Sequence, residues 1–302
     1  MDFAPTAVAH TVSPAVASLL EPSVYSPARA LELAALAEQC GRWEDVCDVA
    51  SVMAERACAA GEVLPPASRN VLAVGFKSAL SSFRGTLKML GLVAQHETAE
   101  ANLAAVAAYA RRMEAGVLRL AERVLALAAE GQGALCEDVL AASAPGSPPA
   151  RAAAEAGVFF YKLAGDYARY VSECHTVPFV VARHSDLALS FYSKARGVAS
   201  AYLHPAHPAA VGVVLNFSVF LFEIRRCEEE AYELAQAVLE EAALALQPEA
   251  GAPDAPVPHE PEYPALTAQE RADSSAVQGL IKENLLMWAQ VLEIAKGAAV
   301  RR

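Results

Sequence analysis

Aromatic residues are scarce in this chain, at 7% of 302 residues, and its glycines and prolines gather in a few places. No alternating strand–turn pattern emerges, so a sheet protein is excluded as the default. Six cysteines (Cys40, Cys47, Cys58, Cys136, Cys174 and Cys227) form no CxxC and no metal-type spacing with histidine. They read as small packed hydrophobes in a reducing compartment, and no metal site is expected from them. No Lys or Arg occurs in the first twenty residues, MDFAPTAVAHTVSPAVASLL, so neither a signal peptide nor a mitochondrial presequence is expected. The longest apolar run, 211–222, is short and interrupted by Asn216 and Ser218, which argues against a membrane span. Basic residues are outnumbered 24 to 35, and the formal net charge of −11 argues against nucleic acid as a partner. P-loop, GxGxxG, HExxH and GxSxG motifs are all lacking, so neither an enzyme nor a cofactor is expected. His204 and His207 sit in the turn HPAHP with no carboxylate or cysteine beside them in sequence, which reads as a helix boundary.

What remains is rich in Ala, Leu, Val and Glu, the composition of an all-α protein. Residues 1–26 read as a loose N-terminal arm, and Ser26-Pro27 as a helix start. One helical domain is expected over 27–294. Within it, helices break at Gly41 and Gly61, restart at Pro65-Pro66, and restart again with Thr98 as a cap. Residues 131–150 read as a loop with one short helical turn, and 247–267, rich in Pro and acids, as a second, flexible loop. A last helix from about 268 to 294 leaves a short tail, 295–302. Cytoplasm is the expected location, with nuclear access open.

Inside 158–173, VFFYKLAGDYARYVSE, the residues Lys162, Asp166, Arg169 and Tyr170 stand at i, i+4, i+7 and i+8 on one helical stripe. Two cations, a carboxylate and a phenol suit a dianionic, hydrogen-bond-accepting group such as phosphate. A solvated charged face is the alternative. Lys77 and Arg84, seven apart, also project from one helical face, about 10 Å from each other along the axis. In PAAVGVVLNFSVFLFEI, one face holds Gly212, Leu215, Asn216, Val219 and Glu223, and the opposite face is suited to the core. Leu280, Asn284, Met287 and Trp288 repeat the i, i+4, i+7, i+8 spacing near the C-terminus.

Four segments in series, RNVLAVGFKSALSSFR (69–84), FFYKLAGDYARYVSE (159–173), HPAAVGVVLNFSVFLFEI (207–224) and DSSAVQGLIKENLLMW (273–288), resemble the 14-3-3 family of phosphoserine- and phosphothreonine-binding adaptors. The resemblance covers about 30–288 and implies a nine-helix antiparallel bundle with a concave amphipathic groove. It implies that Lys77, Arg84, Arg169 and Tyr170 hold phosphate and that Asp166 orients the arginines. Asn216 and Asn284 would bond the main chain of an extended peptide, with Lys162 and Glu223 at the polar wall. Leu215, Val219, Leu280, Met287 and Trp288 would form the apolar wall.

The implied partners are phosphorylated client proteins and a second protomer, the same chain or another isoform. The dimer interface would involve Leu36, Cys40, Arg42, Asp45, Tyr109 and Arg112. An intersubunit pair between Asp45 and Arg112 is possible, but the acidic partner expected for Arg42 is replaced by Gly116, so a looser dimer is expected. The competing class is a phosphate-independent helical-repeat scaffold; no period near 34 residues supports it.

Overall fold

A computed structural model describes residues 12–246 and 265–300, with side chains through Glu293. Among the described residues every regular element is helical. The chain divides into two compact units, one formed by residues 1–136 with 170–184 and the other by 137–169 with 185–302.

In the first unit, α2 (Pro27–Gln39), α3 (Trp43–Ala59), α4 (Pro66–His96) and α5 (Glu100–Ala129) pack in chain order, and α1 (Pro14–Leu19) packs on α3. Helix α2 starts where expected: Pro27 opens it and the Ser26 hydroxyl accepts from the Arg29 N–H. Val46, Val49 and Met53 of α3, Leu72, Phe76 and Leu80 of α4 and Val117 and Val124 of α5 are all buried, and α4 packs against both α3 and α5. The approach of α3 to α4 depends on Gly75, where an added Cβ would lie 2.6 Å from Val46 Cγ1. A buried ion pair, Arg123 to Asp48 at 2.9 Å, ties α5 to α3, and Arg123 also reaches the Ser51 hydroxyl.

The second unit holds most of α7 (Pro148–Cys174), most of α8 (Pro178–Tyr202), α9 (Pro208–Phe220) with its π-helical extension (Leu221–Arg225), α10 (Glu228–Ala245) and α11 (Ala268–Val300). In its core Phe217 and Phe220 of α9 gather around Tyr192 of α8, with rings stacked or tilted at 5.5–5.6 Å, and Val211 of α9 is buried as well. Among the described residues, Pro208–Arg225 is the one helical stretch apolar and long enough to cross a bilayer, with mean hydropathy 1.5. Here its apolar face fills the core, and Asn216 bonds a buried carboxylate.

Several loop expectations need correction. Residues 14–19 of the supposed arm form α1, where Val16 and Leu20 are buried and the Ser13 N–H donates to Asp48; residues 1–11 lie outside the described residues. The supposed loop 131–150 contains α6 (Gln132–Ala142) and the start of α7 at Pro148. The fully buried Gln132 accepts from the Leu64 N–H at 2.8 Å and donates to the carbonyls of Ala54 and Glu62. Of the second loop, 247–264 lie outside the described residues. Its end is fixed, because Leu266 is buried with Ala206 and Ala242, and Thr267 and Glu270 exchange hydrogen bonds as a capping box for α11. That helix continues to Val300, through most of the expected tail. Thr98 does not cap α5: Glu97 Oε1 accepts from the N–H groups of Thr98 and Ala99 instead. With α1 and α6 set aside, nine longer helices remain among the described residues.

Candidate functional site

In the second unit the organising group is the buried carboxylate of Asp166 on α7. It accepts from Lys162 Nζ at 2.8 Å, the Tyr192 hydroxyl at 2.5 Å and Asn216 Nδ2 at 2.7 Å, and the Arg169 guanidinium stands 4.0 Å away. Arg169 Nε donates to the Tyr192 hydroxyl at 3.3 Å. Burial alone would raise the Asp166 pKa, but the charges of Lys162 and Arg169 and the hydrogen bonds from Lys162 and Tyr192 hold it below the usual carboxylate range. Tyr192 moves the other way: burial, then the neighbouring carboxylate, pushes its phenol well up, so it remains a proton donor. Lys162, Asp166 and Arg169 of the expected stripe therefore share one network with Asn216 and Tyr192. Tyr192 is the member that the sequence reading missed, because no local motif marks it. Its ring fits against α7 only because residue 165 is glycine, where a Cβ would fall 2.8 Å from Tyr192 Cδ1.

In the first unit, the Arg84 guanidinium lies over the ring of Tyr170 at 4.8 Å, and Arg84 Nη2 donates to Glu173 Oε2 at 3.0 Å. The cation–π contact pins the group to the aromatic face. Lys77, two turns earlier on α4, is exposed. Burial pushes the thiol of Cys174 up, and the facing Arg84 partly offsets this. Glu173 was not among the expected site residues, although its place three residues after Tyr170 puts it on the same helical face.

Along α9, Leu215, Asn216 and Val219 are half-buried, as expected for a face turned partly to solvent, and Glu223 is exposed within the π-helical turn. That turn closes at Arg226, which adopts a left-handed φ of 57°. On α11, Leu280 and Met287 are exposed and Asn284 is half-buried. Trp288, expected in the apolar wall, is buried and stacks on Phe222 at 4.6 Å with the rings 10° from parallel. Of the expected interface residues, Leu36, Cys40, Arg42, Tyr109 and Arg112 are exposed and Asp45 is half-buried. Arg42 bonds Asp45 of its own chain at 3.0 Å.

His207 has carboxylate neighbours after all, brought by the fold from distant positions. Glu155 lies 3.8 Å and Glu270 3.5 Å from its Nε2. The cluster is built for ion pairing: Arg151 bonds both glutamates, at 3.0 and 2.6 Å. The His207 Nδ1 accepts the Ala209 N–H at the start of α9, so in the neutral ring Nε2 carries the proton and faces the acids as a donor.

The sequence model of 14-3-3 proteins matches residues 33–255. A 14-3-3 protein homolog of Candida albicans is 29% identical over 280 residues, covering 90% of this chain and 88% of its own. The checkpoint signal transducer rad24 of Schizosaccharomyces pombe is 29% identical over 284 residues, covering 92% and 90%. The tomato (Solanum lycopersicum) 14-3-3 protein 7 is 29% identical over 265 residues, covering 86% and 90%. The helical architecture and a match across most of the length agree: the chain belongs to the 14-3-3 family.

Proposed function

We propose that the protein is a non-enzymatic adaptor that binds client proteins through segments carrying phosphoserine or phosphothreonine. Lys77, Arg84, Arg169 and Tyr170 hold the phosphate. Asn216 and Asn284 bond the client backbone, with Lys162 and Glu223 beside them. Leu215, Val219, Leu280 and Met287 receive apolar client side chains, and Trp288 supports that wall from beneath. The observation that carries this reading is the Asp166 network. A carboxylate that already takes one Nδ2 hydrogen of Asn216 turns Asn216 Oδ1 away from itself, to accept a peptide amide, and holds Lys162 and Arg169 in place before any ligand arrives. The phosphate brings a charge of about −2 near neutral pH, which the surrounding donors meet with charge-assisted hydrogen bonds. A name such as checkpoint signal transducer on a relative supports a signalling role. Cytoplasm with access to the nucleus is the location that fits.

We infer a dimer built on apolar contacts, in which Leu36 and Tyr109 become covered. Ion pairing adds little, because Arg42 and Asp45 are engaged with each other within one chain and Gly116 lies under Phe83, where a Cβ would fall 2.4 Å from the ring. The test of the pocket is Lys77→Glu. It is expected to abolish binding of an arginine-flanked phosphoserine peptide in fluorescence anisotropy while the helical circular-dichroism signal stays unchanged. Survival of binding would show the pocket to be wrongly assigned.

A further inference from the structure

We propose that Glu173 is an internal competitor for Arg84, and that it sets the least charge a client anion must bring to be bound. The proposal rests on the phosphopeptide reading and concerns how the same site rejects weaker anions. The Arg84 guanidinium is held on two sides: the Tyr170 ring lies 4.8 Å beneath it, and the Glu173 carboxylate bonds its edge at 3.0 Å. The ring favours this position of the cation, so swinging away from Glu173 to meet a ligand elsewhere costs Arg84 its aromatic contact as well. The Glu173 side chain is 17% exposed and that of Arg84 44%, so the carboxylate is the more sheltered partner and the cation faces solvent, where a ligand can reach it. Any anion that reaches Arg84 must therefore either displace Glu173 or sit beside it against like-charge repulsion.

The exchange treats different anions differently. A client carboxylate offers Arg84 one negative charge and two acceptor oxygens, which is what Glu173 already supplies, so the exchange gains nothing. A phosphate offers nearly twice the charge and three acceptor oxygens, and it prevails. Glu173 thus makes the site unresponsive to aspartate and glutamate in client sequences while leaving it open to phosphorylation. Lys77 and Arg169 attract both classes of anion, whereas Glu173 separates them.

The experiment uses the full chain and one arginine-flanked serine peptide in three forms: phosphorylated, unmodified, and with glutamate replacing the serine. Affinities are measured by fluorescence anisotropy for the wild type, Glu173→Gln and Glu173→Asp. Wild-type protein should bind the phosphorylated form and treat the glutamate and serine forms alike. Glu173→Gln should raise the preference for glutamate over serine by about tenfold, with phosphopeptide affinity unchanged or higher, and Glu173→Asp should restore the wild-type pattern. A glutamate-to-serine preference unmoved by Glu173→Gln would overturn the proposal. So would a tenfold or larger loss of phosphopeptide affinity in a folded Glu173→Gln protein, which would make Glu173 a positioning residue for Arg84. Failure of the wild type to prefer phosphopeptide over unmodified peptide would remove the underlying reading, and this proposal with it.

Discussion

Asp166 holds three donors at 2.5–2.8 Å with almost no water contact. Removing one member of such a buried charged cluster leaves the others unpaired, so Asp166→Ala should cost about 3–5 kcal/mol of stability, measured by urea unfolding. Because folding depresses this pKa, the carboxylate's contribution is complete above the unfolded value of about 3.9 and is lost as pH falls through the lower value in the folded state. Wild-type stability should therefore drop more steeply than that of Asp166→Asn as the pH is lowered from 5 to 3, and parallel curves would contradict the network. The stripe of Lys162, Asp166 and Arg169 was legible in the sequence because helical spacing alone places these residues on one face. Tyr192, Glu173 and Phe222 were not singled out. Tyr192 and Phe222 act through partners 26 and 66 residues away, and Glu173 acts through Arg84 on another helix.

Helices with a segregated apolar face or a clear opening signal were read correctly, as with α2 behind Ser26-Pro27 and α9 behind Pro208. Beyond one short turn, helix α6 is not legible in the sequence because its apolar residues do not gather on one side; buried contacts made elsewhere in the chain hold it instead. Gln132 is the clearest of these contacts. Gln132→Ala would leave the buried Leu64 N–H without its partner and remove two further bonds, lowering stability by about 2–3 kcal/mol. A thermal shift of less than a degree would show that α6 is held by other means. The α3–α4 contact has a comparable weak point at Gly75. Gly75→Ala sets a methyl group against Val46 Cγ1 at 2.6 Å and close to the Cys47 backbone, and overpacking of this kind costs about 1–3 kcal/mol. Denaturant midpoints of the two proteins provide the check.

For the molecule as a whole, a net charge of −11 repels general polyanions, so the proposed phosphate site must rely on local cations such as Lys77 and Arg84. Assembly is proposed to rest on apolar surface. Leu36, 58% exposed in the single chain, should be the sensitive position, with Leu36→Asp giving monomers in sedimentation at micromolar concentration. Arg42→Ala should leave the dimer intact, because the pair it breaks lies within one chain and is exposed. The most direct measurement of the central claim is calorimetric titration of the intact protein with one arginine-flanked serine peptide, phosphorylated and unphosphorylated. Loss of two or more charge-assisted hydrogen bonds should weaken the unphosphorylated peptide by about 100-fold or more. Equal affinity for the two forms would contradict the adaptor reading and favour a phosphate-independent helical scaffold.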